Sequence, residues 1–133
     1  MESLLPLLLL ISLTSVIGLL LRVKKGVIKK GTRVKISEGE FGGKYGSRLT
    51  ILQFSTTFCS ECRTAKAIVK DVVKDSKDIT YVEVDAESNL DLVRRVDIRS
   101  TPTTIFLDSK GFEVARAKGA PKRDQLIKAI KPI

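Results

Sequence analysis

Histidine and tryptophan are absent from this chain, methionine occurs once, and there are only two cysteines among 133 residues. Without histidine there can be no Ser-His-Asp triad and no Cys-His nucleophile pair. A tetrahedral zinc site needs four ligands, so two cysteines could fill one only with carboxylates or a second chain. Haem attachment through C-x-x-C-H is excluded, because Arg63 follows the second cysteine. Acidic residues are missing from residues 22–35, which hold seven Lys or Arg. That basic run has no interleaved aromatics and no recognisable nucleic-acid module, so no nucleic-acid partner is expected.

Charge of either sign is absent from residues 4–21, LLPLLLLISLTSVIGLLL. At about 1.5 Å per residue, a helix over this run or its extension to Val23 crosses a hydrocarbon core of about 30 Å. A cleaved signal peptide would want a basic start and a small-x-small cleavage site, and neither is present. Residues 1–23 are therefore expected to form a single-pass transmembrane anchor, placed in the plasma membrane. The Lys/Arg-rich flank follows the span, so the C-terminal bulk is expected on the cytoplasmic side. An extracytoplasmic domain is the alternative. Of the net charge of +9, residues 1–47 carry +5 and residues 48–133 carry +4. The anchor region can thus also contact anionic lipid headgroups.

Residues 24–47 place six glycines among Lys and Arg and read as a basic, Gly-rich juxtamembrane linker, with a short strand conceivable at 33–36. From Leu49 the pattern changes. LTILQF, ITYVEVD (79–85), TTIFL (103–107) and FEVARA (112–117) read as strands. Residues 60–75, 91–96 and 122–130 have helical periodicity, and Asp108-Ser109-Lys110-Gly111 suits a hairpin turn. The order β-α-β-α-β-β-α over 48–133 predicts an α/β domain: a mixed sheet with a parallel pair, an antiparallel hairpin and helices on both faces.

In this frame Cys59 and Cys62 fall between a buried strand and an amphipathic helix. Free N–H groups and a partial positive charge at the helix N-terminus stabilise a thiolate, so Cys59 is expected to be the more acidic and more exposed sulfur. Cys62, one turn later, is within reach of a mixed disulfide on Cys59. This spacing permits both a dithiol and a disulfide, as exchange requires.

The segments TILQFSTTFCSEC, DITYVEVDAE and IRSTPTTIFLDSKGFEVARAKGAP together resemble the thioredoxin family over about residues 48–131. With the apolar N-terminus, the chain resembles small membrane-tethered thioredoxin-like proteins of bacteria. The resemblance implies a protein-disulfide oxidoreductase whose redox centre is the Cys59–Cys62 pair, with no metal or organic cofactor. Its partners would be protein thiol or disulfide substrates and a thiol-based electron donor. It further implies a cis bond before Pro102, substrate pairing along Thr101, and a shallow groove bordered by Gly119 and Phe58.

Four positions depart from the family pattern. Phe58 stands where tryptophan is usual, Ser60-Glu61 replaces Gly-Pro, and Gln53 occupies the place of a buried aspartate. Glu61 is a candidate proton acceptor for Cys62 in place of that carboxylate. Its charge opposes a Cys59 thiolate, while Arg63 favours one. A non-catalytic binding module of the same fold and an extracytoplasmic enzyme acting on secreted or cytochrome cysteines are the alternative functions.

Overall fold

The structure is a computed structural model that describes residues 4–24 and 26–131. Residues 1–3, 25 and 132–133, which belong to the expected ends of the anchor, the basic flank and the domain, lie outside the described residues. Helix α1 spans Leu4–Lys24, and Leu4–Val23 is long and apolar enough to cross a membrane, with none of it buried against the rest of the chain.

The sheet contains β1 (Ile28–Lys30), β2 (Leu49–Ser55), β3 (Ile79–Asp85), β4 (Thr103–Asp108) and β5 (Glu113–Lys118), in the spatial order β1-β5-β4-β2-β3. Strands β2 and β3 are parallel; β2–β4, β4–β5 and β5–β1 are antiparallel. Helices α3 (Ser60–Val73), α4 (Leu90–Arg95) and α5 (Arg123–Ile130) complete the expected order, and α2 (Glu38–Phe41) precedes β2.

The period-2 alternation of the strands divides the core in two. Leu49, Ile51 and Phe106 pack with Val69 and Val73 of α3 and Leu126 and Ile130 of α5. Leu52, Phe54, Ile105 and Leu107 pack on the other face with Leu92 of α4, Val96, Ile36 and Phe41. Fully burying one such side chain contributes roughly 1.5–3 kcal/mol, which makes the two-faced sheet the main source of stability. Helix α3 buries Cys62, Ala65, Val69 and Val73 on one stripe, so the second cysteine heads the apolar face that seats the helix.

One sequence expectation is corrected. Residues 26–47 are not a linker: they are folded onto the domain. Ile28, Lys29 and Lys30 pair with Ala117, Arg116 and Ala115, and Lys35 bridges to Phe112. Ile36 and Phe41 join the core. The glycines read as flexibility, but their role is close approach. A Cβ on Gly31 would lie 2.7 Å from the Glu113 side chain, and Gly26, at φ 76°, would place one 2.3 Å from the Ala120 carbonyl oxygen. The short strand anticipated at 33–36 forms instead at 28–30, with a single bridge at Lys35.

Candidate active site

Strand β2 delivers the chain to the end of the sheet, and residues 56–59 turn it into α3. Cys59 is the N-cap of that helix, and its Sγ accepts a hydrogen bond from the Cys62 N–H at 3.1 Å. The two sulfurs are joined in a disulfide with the Cα atoms 5.1 Å apart. Cys59 is partly exposed, whereas Cys62 is only 4% exposed. A partner sulfur can therefore reach Cys59 from solvent, while Cys62 is shielded by the core it packs on.

Beneath the pair, Gln53 is fully buried and every polar atom of its side chain is used. Its Nε2 donates to the Cys62 carbonyl at 2.9 Å and to Ser55 Oγ at 3.0 Å. Its Oε1 accepts from the Tyr81 hydroxyl at 3.0 Å. Burial, then the neighbouring Glu83 carboxylate, push the Tyr81 hydroxyl well above its usual range, so it serves as a fixed donor. The layer under the redox pair is thus hydrogen-bonded and uncharged.

An open cleft of about 280 Å³ flanks the disulfide, lined in part by Cys59, Cys62, Arg63, Lys66, Glu83 and Asp85. Lys66 Nζ lies 3.3 Å from Glu83. The Ser88 hydroxyl and the Glu87 N–H hold the Asp85 carboxyl below its ordinary range. Glu61 projects from the first turn of α3, exposed and outside this lining. Two carboxylates, Glu83 and Asp85, share the cleft with Cys62.

On the other side stands the loop before β4. The Thr101–Pro102 peptide bond is cis. Thr101 Oγ1 lies 3.3 Å from Thr56 Oγ1, tying this loop to the one that carries Cys59. The Gly119 N–H donates to the Pro102 carbonyl at 2.8 Å, and Gly119 has a φ of 80°. Among the described residues, no intramolecular hydrogen bond engages the Thr101 backbone, which leaves it available to an extended partner. Phe58 is 98% exposed beside Cys59.

The structure therefore brings Gln53, Phe58, Cys59, Cys62, Thr101, Pro102 and Gly119 to one end of the sheet. Sequence reasoning passed over Tyr81, Lys66 and Glu83. The alternation of β3 carried a signal, because Tyr81 and Glu83 lie in register with Ile51 and Gln53 on the face that α3 covers.

Comparison with known proteins gives a consistent result. A family model described as Thioredoxin matches residues 34–132. Thioredoxin of Ophiophagus hannah is 28% identical over 86 residues, covering 65% of this chain and 80% of its own length. Thioredoxin of Mycoplasmoides gallisepticum is 28% identical over 78 residues, covering 59% of this chain and 78% of its own. Among solved structures, a malaria-parasite thioredoxin-2 superposes with a TM-score of 0.59 at 26% identity, over 65% of this chain and 84% of that one. Fasciola hepatica thioredoxin gives a TM-score of 0.57 at 25% identity, over 65% and 82%.

Proposed function

The chain belongs to the thioredoxin family and is a thiol–disulfide oxidoreductase, and from that premise we propose that it reduces protein disulfides while tethered to a membrane by α1. The observation that carries the reading is the Cys59–Cys62 disulfide at the β2–α3 junction, facing the Thr101–Pro102 loop.

In the reduced state the Cys59 thiolate attacks one sulfur of a substrate disulfide. A Cys59–substrate disulfide forms, and the other substrate sulfur leaves as a thiolate. Cys62 then gives up its proton and attacks Cys59 Sγ. The second substrate sulfur departs, the internal disulfide closes, and two electrons have passed to the substrate. A thiol-based donor returns them by the reverse exchange. The pair itself carries both electrons, so the reading requires no metal or organic cofactor. Substrate main chain pairs along Thr101, with Pro102, Gly119 and Phe58 shaping the groove.

Gln53 cannot take the Cys62 proton, because a carboxamide does not titrate. Of the two carboxylates in the cleft, Glu83 is the acceptor: it is in register with Gln53, with Lys66 beside it. Both oxygens of Asp85, by contrast, are engaged by the Glu87 N–H and the Ser88 hydroxyl. Gln53 instead fixes the Cys62 main chain, and with it the position of the resolving sulfur.

Seven Lys or Arg in residues 22–35 support a cytoplasmic domain, where a reducing role fits the compartment. Labelling of the cysteines in intact cells by a thiol reagent that cannot cross membranes would overturn that placement. For the chemistry, insulin-disulfide reduction by the wild type and background activity in Cys59→Ser is the expected pair of results; equal rates would refute it. Recovery of a mature chain lacking residues 4–23 would replace the anchor by a cleaved leader.

A further inference from the structure

We infer that the redox end of the domain faces the bilayer, and that its substrates are disulfides held at the membrane surface, on juxtamembrane segments of other membrane-embedded chains. This rests on the membrane-tethered oxidoreductase reading above.

The apolar span ends at Val23, and the domain begins at Gly26, whose buried N–H donates to the Lys118 carbonyl at 2.7 Å. Three residue steps of fully extended chain cover at most about 11 Å. A headgroup layer is about 5–8 Å thick on each side of the bilayer. Gly26 is thus confined to the membrane surface. It has no slack on the domain side either, because a Cβ there would sit 2.3 Å from the Ala120 carbonyl oxygen.

Gly26 docks at the same end of the sheet as the redox pair. Lys118, its partner, is in register with Thr103, and Gly119 bonds to Pro102. From β1 to β2 the sheet crosses β5 and β4, three steps of about 4.8 Å, which sets Cys59 roughly 14 Å sideways from the entry point. The hairpin at 108–111 lies at the opposite end of β5, six residues or about 20 Å farther from the bilayer.

The surface of that end agrees. Beyond α1, the most exposed large apolar side chains among the described residues are Phe58 at 98% and Leu90 at 52%, in the loop before α3 and at the start of α4; Phe112, at the hairpin end, follows at 38%. Both elements begin at the redox end. Lys118 and Lys122, both exposed, lie beside the entry point and suit anionic headgroups; the exposed acids of the same end, Glu61, Asp85, Glu87 and Asp91, lie on the β2–β3 side, away from it. An apolar ring beside a reactive sulfur, held at the interface, meets cysteines at that depth before it meets those of a soluble protein. The reaction is the exchange written above: two electrons pass from the Cys59–Cys62 dithiol to a juxtamembrane disulfide, and a thiol donor restores them.

The test uses the full chain in phosphatidylglycerol-containing vesicles. In a Cys59→Ser/Cys62→Ser background, a fluorophore is attached at Glu87→Cys, at the redox end, or at Ser109→Cys, in the hairpin. Headgroup-attached quenchers should act several-fold more strongly at 87; equal or stronger quenching at 109 overturns the orientation. The wild type is then offered disulfide peptides anchored to lipid through a 2-residue or a 40-residue Gly/Ser spacer. It should reduce the short-spaced peptide about tenfold faster, as expected when effective concentration is set by reach. Inserting 20 Gly/Ser residues between Lys25 and Gly26, adding roughly 25 Å of reach, should remove the preference. Indifference of the wild type to spacer length refutes the substrate class. Failure to reduce insulin strikes the oxidoreductase reading, and failure to float with vesicles strikes the tether; the quenching and spacer readouts separate these from a wrong orientation.

Discussion

At one end of the sheet, the end where α1 joins the domain, the structure is loops, an exposed phenyl ring and a disulfide over a neutral hydrogen-bonded layer. At the other, charge is locked in place. Glu113 is fully buried and accepts from Arg116 Nε at 2.6 Å, Arg116 NH2 at 3.0 Å and Thr32 Oγ1 at 2.7 Å. Tyr45 donates to the Ile36 carbonyl at 2.7 Å, and Arg48 pairs with Asp78 while also donating to the Ile130 carbonyl. Among the described residues, the buried ion pair, Glu113 with Arg116, lies at the hairpin end, whereas the Lys66–Glu83 pair beside the sulfurs is exposed. The hairpin end fixes the fold, and the entry end keeps its groups free to change partners.

Substitutions that act on one end and spare the other test this contrast. The largest loss of stability should come from Glu113→Ala, which leaves a largely buried guanidinium without its carboxylate. Breaking such a pair costs about 3–5 kcal/mol. Urea unfolding should show it, while the rate at which Cys59 reacts in the remaining folded protein stays at the wild-type value. Gln53→Leu should cost less, about 1–3 kcal/mol, because the Tyr81 hydroxyl and the Cys62 carbonyl lose their partner. That variant should also slow release of the mixed disulfide, since Cys62 is no longer held.

Glu83→Gln should leave stability unchanged and slow mixed-disulfide resolution about threefold to tenfold near neutral pH. This is well below the 10²–10⁴ of a fully engaged general base, because water competes at an exposed carboxylate. Glu61→Gln should leave that rate unchanged; the reverse ranking would restore Glu61 as the proton acceptor. The smallest effect belongs to Asp78. The hydrogen bond from Arg48 holds its carboxyl below the ordinary range. A carboxyl that titrates lower folded than unfolded stabilises the fold above the unfolded value, about 3.9 for Asp, and loses that contribution as pH falls through the folded value. Asp78→Asn should therefore be slightly less stable than wild type at pH 7 and equal to it at strongly acid pH.

Much of this was written in local pattern. The short apolar run LTILQF and the β-rich run ITYVEVD placed β2 and β3, because a strand covered on both faces has little need of polar side chains. The spacing of Ala65, Val69 and Val73 placed α3, because burial of one face sets the helical period. Cys59 at a helix start followed from the same reading. Residues 26–47 were misjudged because glycine reports a special backbone need without saying which. At Gly26 and Gly31 the need is contact with β5, which a linear reading cannot supply. Tyr81 and Glu83 escaped for a related reason: their importance depends on register with Gln53 and on α3 crossing above them.

Cys59, partly exposed at the helix start while Cys62 is shielded, is the sulfur proposed to meet the substrate. The most direct measurement compares two single-cysteine proteins, Cys62→Ser and Cys59→Ser, reacting with one model disulfide peptide under pseudo-first-order conditions at neutral pH. The protein that retains Cys59 should form its mixed disulfide at least about tenfold faster, as access and a helix N-terminus require. Equal rates, or faster reaction at Cys62, would contradict the account.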